Sequence, residues 1–208
     1  MRTIVRNGYE LADYQGAYRV SAELSPFERR FVGGLAAMLA PGAEILDWGC
    51  GPGVPYDLHL AWSGFRLTGV DICAKHIAAA KRNVPAAAFI EGDFTSHQPP
   101  GPVDALVCLY ALFHVPREEH SALLARAYRL VKPGGFLLIT VGVHRTAGVE
   151  IERGWCGATM AWSSFDAETN LRMIAGAGFG VVLSADEADW GSNEHQLWVL
   201  AERRGAVP

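Results

Sequence analysis

Ile45-Leu46-Asp47-Trp48-Gly49-Cys50-Gly51-Pro52-Gly53 is the stretch that decides the fold. Residues 43–48 read as a short buried strand, and the strand runs straight into a loop with glycine at three alternate positions. Glycine carries no Cβ, so such a loop lets a ligand come up against the backbone. An ordinary strand-to-helix turn rarely needs three glycines and a proline. A dinucleotide loop requires Gly-x-Gly-x-x-Gly, whose third glycine allows tight helix-strand packing. Counted from Gly49 that third slot holds Val54, and counted from Gly51 it holds Tyr56. The dinucleotide pattern fails in both registers.

Around this loop, apolar runs alternate with helical patterns, the signature of an α/β fold with a largely parallel sheet. Leu11, Tyr14 and Tyr18 predict one N-terminal helix, and Ser25-Pro26 opens another with Phe27, Phe31, Leu35 and Met38 on its apolar face. A helix is expected from Pro55, a strand over 65–70, a helix over 73–83 and a strand over 86–91. Residues 103–110 form a nearly all-apolar run, expected to be a strand buried on both faces. Pro116 opens a helix to Val131, Lys132-Pro133-Gly134-Gly135 makes a turn, and 136–141 is a fifth strand. Residues 142–162 show no clear period and hold four glycines and two tryptophans. A helix over 166–177 and two strands, 179–185 and 194–201, follow, with the last pair expected as an antiparallel edge.

Composition narrows the function. Hydrophobic residues make up 50% of the 208 and charged residues 19%, which excludes disorder and fits one domain spanning 1–208. The 23 glycines have no three-residue period, so the chain is not collagen-like. The net charge of −4 leaves no basic surplus for nucleic acid. The longest apolar run, 105–113, is about half a membrane span, and no signal peptide is visible, so a soluble, cytoplasmic monomer or homodimer is expected. The four cysteines form no Cys-x-x-Cys pair and no zinc spacing with histidine, so reduced thiols and no metal site are expected.

Two acidic residues fall where strands end. Asp71 lies eighteen positions beyond Gly53. A carboxylate about 20 residues past such a loop suits ribose hydroxyls, although Asp is also a good helix N-cap. Asp93, in Glu91-Gly92-Asp93-Phe94, is placed to meet an adenine amino group with Phe94 over the ring, although Gly-Asp is also a common turn.

The chain resembles the class I S-adenosylmethionine-dependent methyltransferases. The segments that carry the resemblance are 46–53, Gly69-Val70-Asp71, Glu91-Gly92-Asp93-Phe94, Val103-Asp104-Ala105-Leu106 and Leu130-Val131-Lys132-Pro133-Gly134-Gly135. They occur in the family's order over about residues 25–142. The resemblance implies a Rossmann-like, doubly wound α/β fold whose seven-stranded sheet is mostly parallel with an antiparallel last strand. It implies S-adenosylmethionine as cofactor, held by Gly49, Cys50, Gly51 and Gly53 with Asp47 near the methionine end. Asp71, with Ile72 beside it, would bind the ribose, Asp93 and Phe94 the adenine. Leu109 and Tyr110 would line the methyl-transfer site. Residues 1–24 would form a helical cap from which Tyr9, Tyr14 or Tyr18 closes over the sulfonium, or simply packs.

The implied activity is metal-independent methyl transfer to an O, N or C nucleophile of a small molecule. His114, just after the fourth strand, is the candidate general base, or else a wall of the pocket. His144 is the second candidate, and His59, His76, His97, His120 and His195 are expected in surface or packing roles. Residues 142–164 are expected to form a substrate lid with Trp155, Met160 and Trp162 as an aromatic wall and Arg145 as an anion anchor. That wall points to an apolar or aromatic acceptor, in specialised metabolism. Two other readings use the same cofactor: an accessory or regulatory protein without an acceptor pocket, and an enzyme of cyclisation or rearrangement.

Overall fold

A computed structural model describes residues 1–18, 21–190 and 195–204. In chain order the elements are α1 (Arg2–Leu11), α2 (Tyr14–Tyr18), α3 (Pro26–Met38), β1 (Glu44–Trp48), α4 (Tyr56–Trp62), β2 (Arg66–Asp71), α5 (Ala74–Asn83), β3 (Ala88–Glu91), β4 (Val103–Cys108), α6 (His120–Leu130), β5 (Val131–Gly142), β6 (Glu150–Trp155), β7 (Ala158–Trp162), α7 (Ala167–Gly176), β8 (Phe179–Asp186) and β9 (Gln196–Arg203).

Seven strands form one sheet in the order β3-β2-β1-β4-β5-β9-β8. The first five pair in parallel, and β9 runs antiparallel to both β5 and β8. The last two strands therefore do pair antiparallel, but β9 lies inside the sheet and β8 forms the edge. Glu194, expected to start the last strand, lies outside the described residues. Helices cover both faces. Phe31 and Leu35 of α3, Leu60 of α4 and Ile77 of α5 pack with Ile45, Leu67 and Val107 on one face. Leu123 and Ala127 of α6 and Ile174 of α7 pack with Leu46, Leu106 and Val199 on the other. The order reverses between β1 and β4, so the carboxyl ends of these strands open the crevice where doubly wound sheets take their ligands.

Local signals set several of these elements. The Ser25 hydroxyl accepts from the Glu28 N–H at 3.2 Å and Glu28 accepts from the Ser25 N–H at 2.7 Å, a reciprocal cap in front of Pro26. The single N-terminal helix is corrected to two. Ala12 adopts extended backbone between them, and Leu11 is 77% exposed, so its spacing with Tyr14 and Tyr18 marks no common face.

The aperiodic segment also contains order. β6 and β7 pair as an antiparallel hairpin across Cys156-Gly157, both with positive φ (45° and 80°), and the register shifts between Arg153 and Trp155. The hairpin is sewn to the segment after β4: Ser163 N–H donates to the Phe113 carbonyl at 2.8 Å and Arg117 N–H to the Ser163 hydroxyl at 3.0 Å. Its β7 face packs on α1 through Val5 and Met160.

Candidate active site

The carboxyl ends of β1, β2 and β4 converge on a cavity of about 600 Å³, counting the part open to solvent. The loop after β1 supplies its floor. Gly49 has φ +80°, and a Cβ there would stand 2.4 Å from the Ala111 Cβ, so no side chain fits. Gly51 has φ +55°, and a Cβ there would meet nothing within 4 Å, because its open side is the cavity. Gly53 instead abuts Val84 and Ala80 of the α5 region and does not line the cavity.

Asp71 fixes this loop. Its carboxylate accepts from the Gly51 N–H at 2.9 Å and the Cys73 N–H at 2.8 Å, while its side chain still lines the cavity. The α5 N-cap position is Cys73, so Asp71 is not the cap. Ile72, Phe94 and Leu109 line the same space, and Phe94 stacks on Trp48 at 5.6 Å. Asp93 lines it too, but its carboxylate is already engaged. It accepts from the Thr95 N–H and hydroxyl and pairs with the Arg2 guanidinium at 2.7 Å.

Arg2 brings α1 over the cavity and also bonds Glu119. At the other end of α1, Glu10 accepts from the Ala74 N–H at 2.7 Å, at the start of α5. Tyr9 lies between these anchors. Its hydroxyl bonds His114 Nε2 at 2.8 Å, and His114 Nδ1 lies 3.0 Å from the Ala161 carbonyl. A carbonyl only accepts, so Nδ1 carries the proton and Nε2 accepts from Tyr9. Burial pushes the His114 pKa down to about 4, so the imidazole is neutral at pH 7. Its free lone pair is thereby committed to Tyr9.

Tyr9, Tyr14 and Tyr110 are the wall between this cavity and a second one of about 480 Å³. The second is lined by Tyr18, Phe113, Trp155, Trp162 and Gln196 besides the three shared tyrosines. Tyr18 stacks on Trp155 at 5.9 Å, and Trp162 lies 4.7 Å from the His114 ring. Tyr110 follows β4 with φ +55°, a strained conformation for a tyrosine, and is held by its backbone, its hydroxyl and its ring. Its N–H donates to Thr140 at 2.6 Å, its hydroxyl donates to Glu187 at 2.6 Å, and its ring packs edge-on against Trp198.

Several expected residues lie elsewhere. Met160 is fully buried against α1 and is core. Arg145 sits over the Phe165 ring at 5.0 Å, away from both cavities. His144 is exposed beside His195, so it is removed as a base. Tyr18 faces the second cavity only. Cys50 and Asp47 lie behind the loop, and Asp47 is buried opposite Asp57 of α4. Conversely, Arg2, Val5 and Ala111 line the first cavity without having been singled out. His76, expected in a surface or packing role, is buried against the Tyr9 and Tyr14 rings, and it also lines the first cavity and lies 3.5 Å from Asp71. Its position in the first turn after β2 was the available signal.

Comparison with known proteins agrees with this architecture. Residues 45–135 match the family described as a methyltransferase domain. The chain is 28% identical over 142 residues to a ubiquinone biosynthesis O-methyltransferase of Paracidovorax citrulli, covering 65% of this chain and 57% of that one. It is 31% identical over 131 residues to an S-adenosyl-L-methionine-dependent Diels-Alderase of Neonectria, covering 62% and 49%. The magnesium protoporphyrin IX methyltransferase of Synechocystis, solved with bound S-adenosylhomocysteine, shares the fold with a TM-score of 0.71 at 19% identity, covering 97% of this chain and 99% of that one. The chain is thus similar to S-adenosylmethionine-dependent methyltransferases over its central region, residues 45–135, and in its fold. It spans about half the length of the curated relatives it matches. Among the described residues no helix is long and apolar enough to cross a membrane.

Proposed function

We propose that this chain transfers a methyl group from S-adenosylmethionine to an O, N or C nucleophile on an apolar or aromatic small molecule, without a metal ion. The observation that carries the reading is the pair of cavities sharing Tyr9, Tyr14 and Tyr110 as a common wall. One is floored by a glycine loop with room for a ligand's backbone approach, and the other is walled by aromatic rings. The residues present fit the cofactor: Gly51 opens its Cα to the cavity and Asp71 is anchored within reach of it. When bound, S-adenosylmethionine supplies an electrophilic sulfonium methyl.

Gly49, Gly51, Asp71, Ile72, Asp93, Phe94 and Leu109 would hold the cofactor, Arg2 holding Asp93 in place. The aromatic pocket would orient the acceptor and exclude water, which is where most of the barrier lowering arises in a transfer between two bound molecules. Neutral His114 holds the Tyr9 hydroxyl at the boundary. A hydroxyl acceptor would be oriented by a hydrogen bond to the Tyr9 oxygen, which His114 Nε2 holds in place, and a neutral amine needs no base. Gln196 Oε1 has no hydrogen-bond partner among the described residues and offers an acceptor for one donor group on the bound molecule. Residues 1–24 serve as the cap and 142–164 as the acceptor wall. With an acceptor of this kind, we extend the proposal to a role in specialised metabolism.

The test is incubation with methyl-labelled S-adenosylmethionine and a panel of planar phenols, catechols and arylamines. A product 14 mass units heavier, with S-adenosylhomocysteine formed in equal amount, is the expected outcome. Cofactor binding with no labelled product, and cyclisation of a polyene instead, would favour the second reading, for which the Diels-Alderase relative is the specific support. The accessory-protein reading is disfavoured by Trp155 and Trp162, which line a cavity next to the glycine loop.

A further inference from the structure

Two buried carboxylates stand at the two roots of the glycine loop. Asp47 is in β1, two residues before Gly49, and Asp57 is in the first turn of α4, four residues after Gly53. They are 3% and 1% exposed. Asp47 Oδ1 and both Asp57 oxygens accept from no donor group, the two carboxyls lie within hydrogen-bond reach of each other, and no lysine or arginine pairs with either among the described residues. The groups that act on the pair add no positive charge. They are Asp71 from β2, the Cys50 thiol from the loop and the Cys108 thiol from β4. On the α3 side, Glu28 accepts from the Tyr56 hydroxyl, and His59 of α4 has its pKa lowered by burial and by Arg29.

Two bare carboxylates cannot both ionise at such a place without a cation. We propose that Asp47 and Asp57 hold one proton between them in the ligand-free protein and release it to solvent when the cationic end of the cofactor enters over the loop. Asp57 is then a positioning residue that acts through Asp47, and it couples cofactor uptake to pH. Burial, with Asp71 nearby, pushes Asp47 up to about 7, and burial with Asp47 raises Asp57 further. The sign follows. A cation favours the ionised pair, binding expels the proton, and affinity rises as pH rises through neutrality. Loss of one proton from a group near 7 strengthens binding about tenfold between pH 6 and 8.

The proposal rests on the cofactor reading above, and one experiment separates the two. Titration calorimetry of the full chain with S-adenosylhomocysteine, which keeps the ammonium group, is run at pH 6, 7 and 8. Buffers of different ionisation enthalpy count the protons. Release of about half a proton near pH 7, with the tenfold rise in affinity between pH 6 and 8, is expected. Asp57→Asn, which leaves Asp47 as a single buried carboxyl, should change the proton count and shift the pH dependence while retaining binding at pH 8. A purely structural pair would leave the wild-type proton count at zero and the affinity flat, and that result overturns the proposal. So does an Asp57→Asn protein that releases protons like the wild type. Should that variant not fold, difference infrared spectroscopy of the wild type decides. Loss of a protonated-carboxyl stretch on ligand addition supports the proposal, and its absence overturns it. No binding at any pH would instead sink the cofactor reading.

Discussion

Asp71 joins the glycine loop to the end of β2 through two backbone N–H groups, so its substitution acts on loop shape and on ligand contact together. Asp71→Ala should weaken S-adenosylhomocysteine binding by about 1–3 kcal/mol, read by calorimetry. His114 makes a pH-dependent contribution to stability. Its folded pKa of about 4 lies below the unfolded value of 6.5, so the unfolded chain binds the extra proton between these limits. Stability is therefore whole above pH 6.5, falls as pH drops toward 4 and levels off below. The loss is on the order of 3 kcal/mol. Urea melts from pH 4 to 8 should show a shallower acid limb in His114→Gln than in the wild type. At this scale the sequence revealed which residue types meet the ligand. It did not reveal who else claims them. Asp93 looked available until Arg2, 91 positions earlier, was placed against it, and no local pattern records such a pairing.

Among the elements, α1 shows how a glycine can be selected against its own helix propensity. Gly8 lies mid-helix, where alanine would be favoured by about 1 kcal/mol. A Cβ there would come 2.6 Å from the Thr159 carbonyl oxygen and 2.9 Å from the Met160 methyl. The backbone oxygen cannot move aside, so Gly8→Ala should lift α1 from β7. Hydrogen exchange should then quicken over residues 2–11 and stay unchanged in α6 and α7, and S-adenosylhomocysteine should bind more weakly. The strands of the sheet were legible because burial gave them apolar runs of the right length. The β6–β7 hairpin was not, because residues 150–154 are all exposed and carry no alternation. Its turn uses Cys156-Gly157, and Gly154 interrupts the register, so neither the period nor the familiar Asn-Gly signal was present. β4 ended two residues before its apolar run did, since Tyr110 turns the chain with φ +55°.

For the whole molecule, ligand binding to the native state alone must raise the melting temperature. At a hundredfold excess over Kd the gain is about 2.7 kcal/mol, or roughly 5–10 °C for a chain of this size. S-adenosylhomocysteine should produce that shift in a thermal melt and NAD should not. A shift with NAD alone would refute the reading of the glycine loop. One further property follows from the place of β9. Among the described residues β8 pairs only with β9, and β9 in turn fills the open side of β5, more than fifty residues earlier. During synthesis β5 must wait as a bare edge, and β8 as a strand with nothing to join, until residues 196–203 have emerged. The sheet closes from its middle in a single late step, so a ribosome that stalls ahead of Gln196 leaves a chain with two adhesive edges.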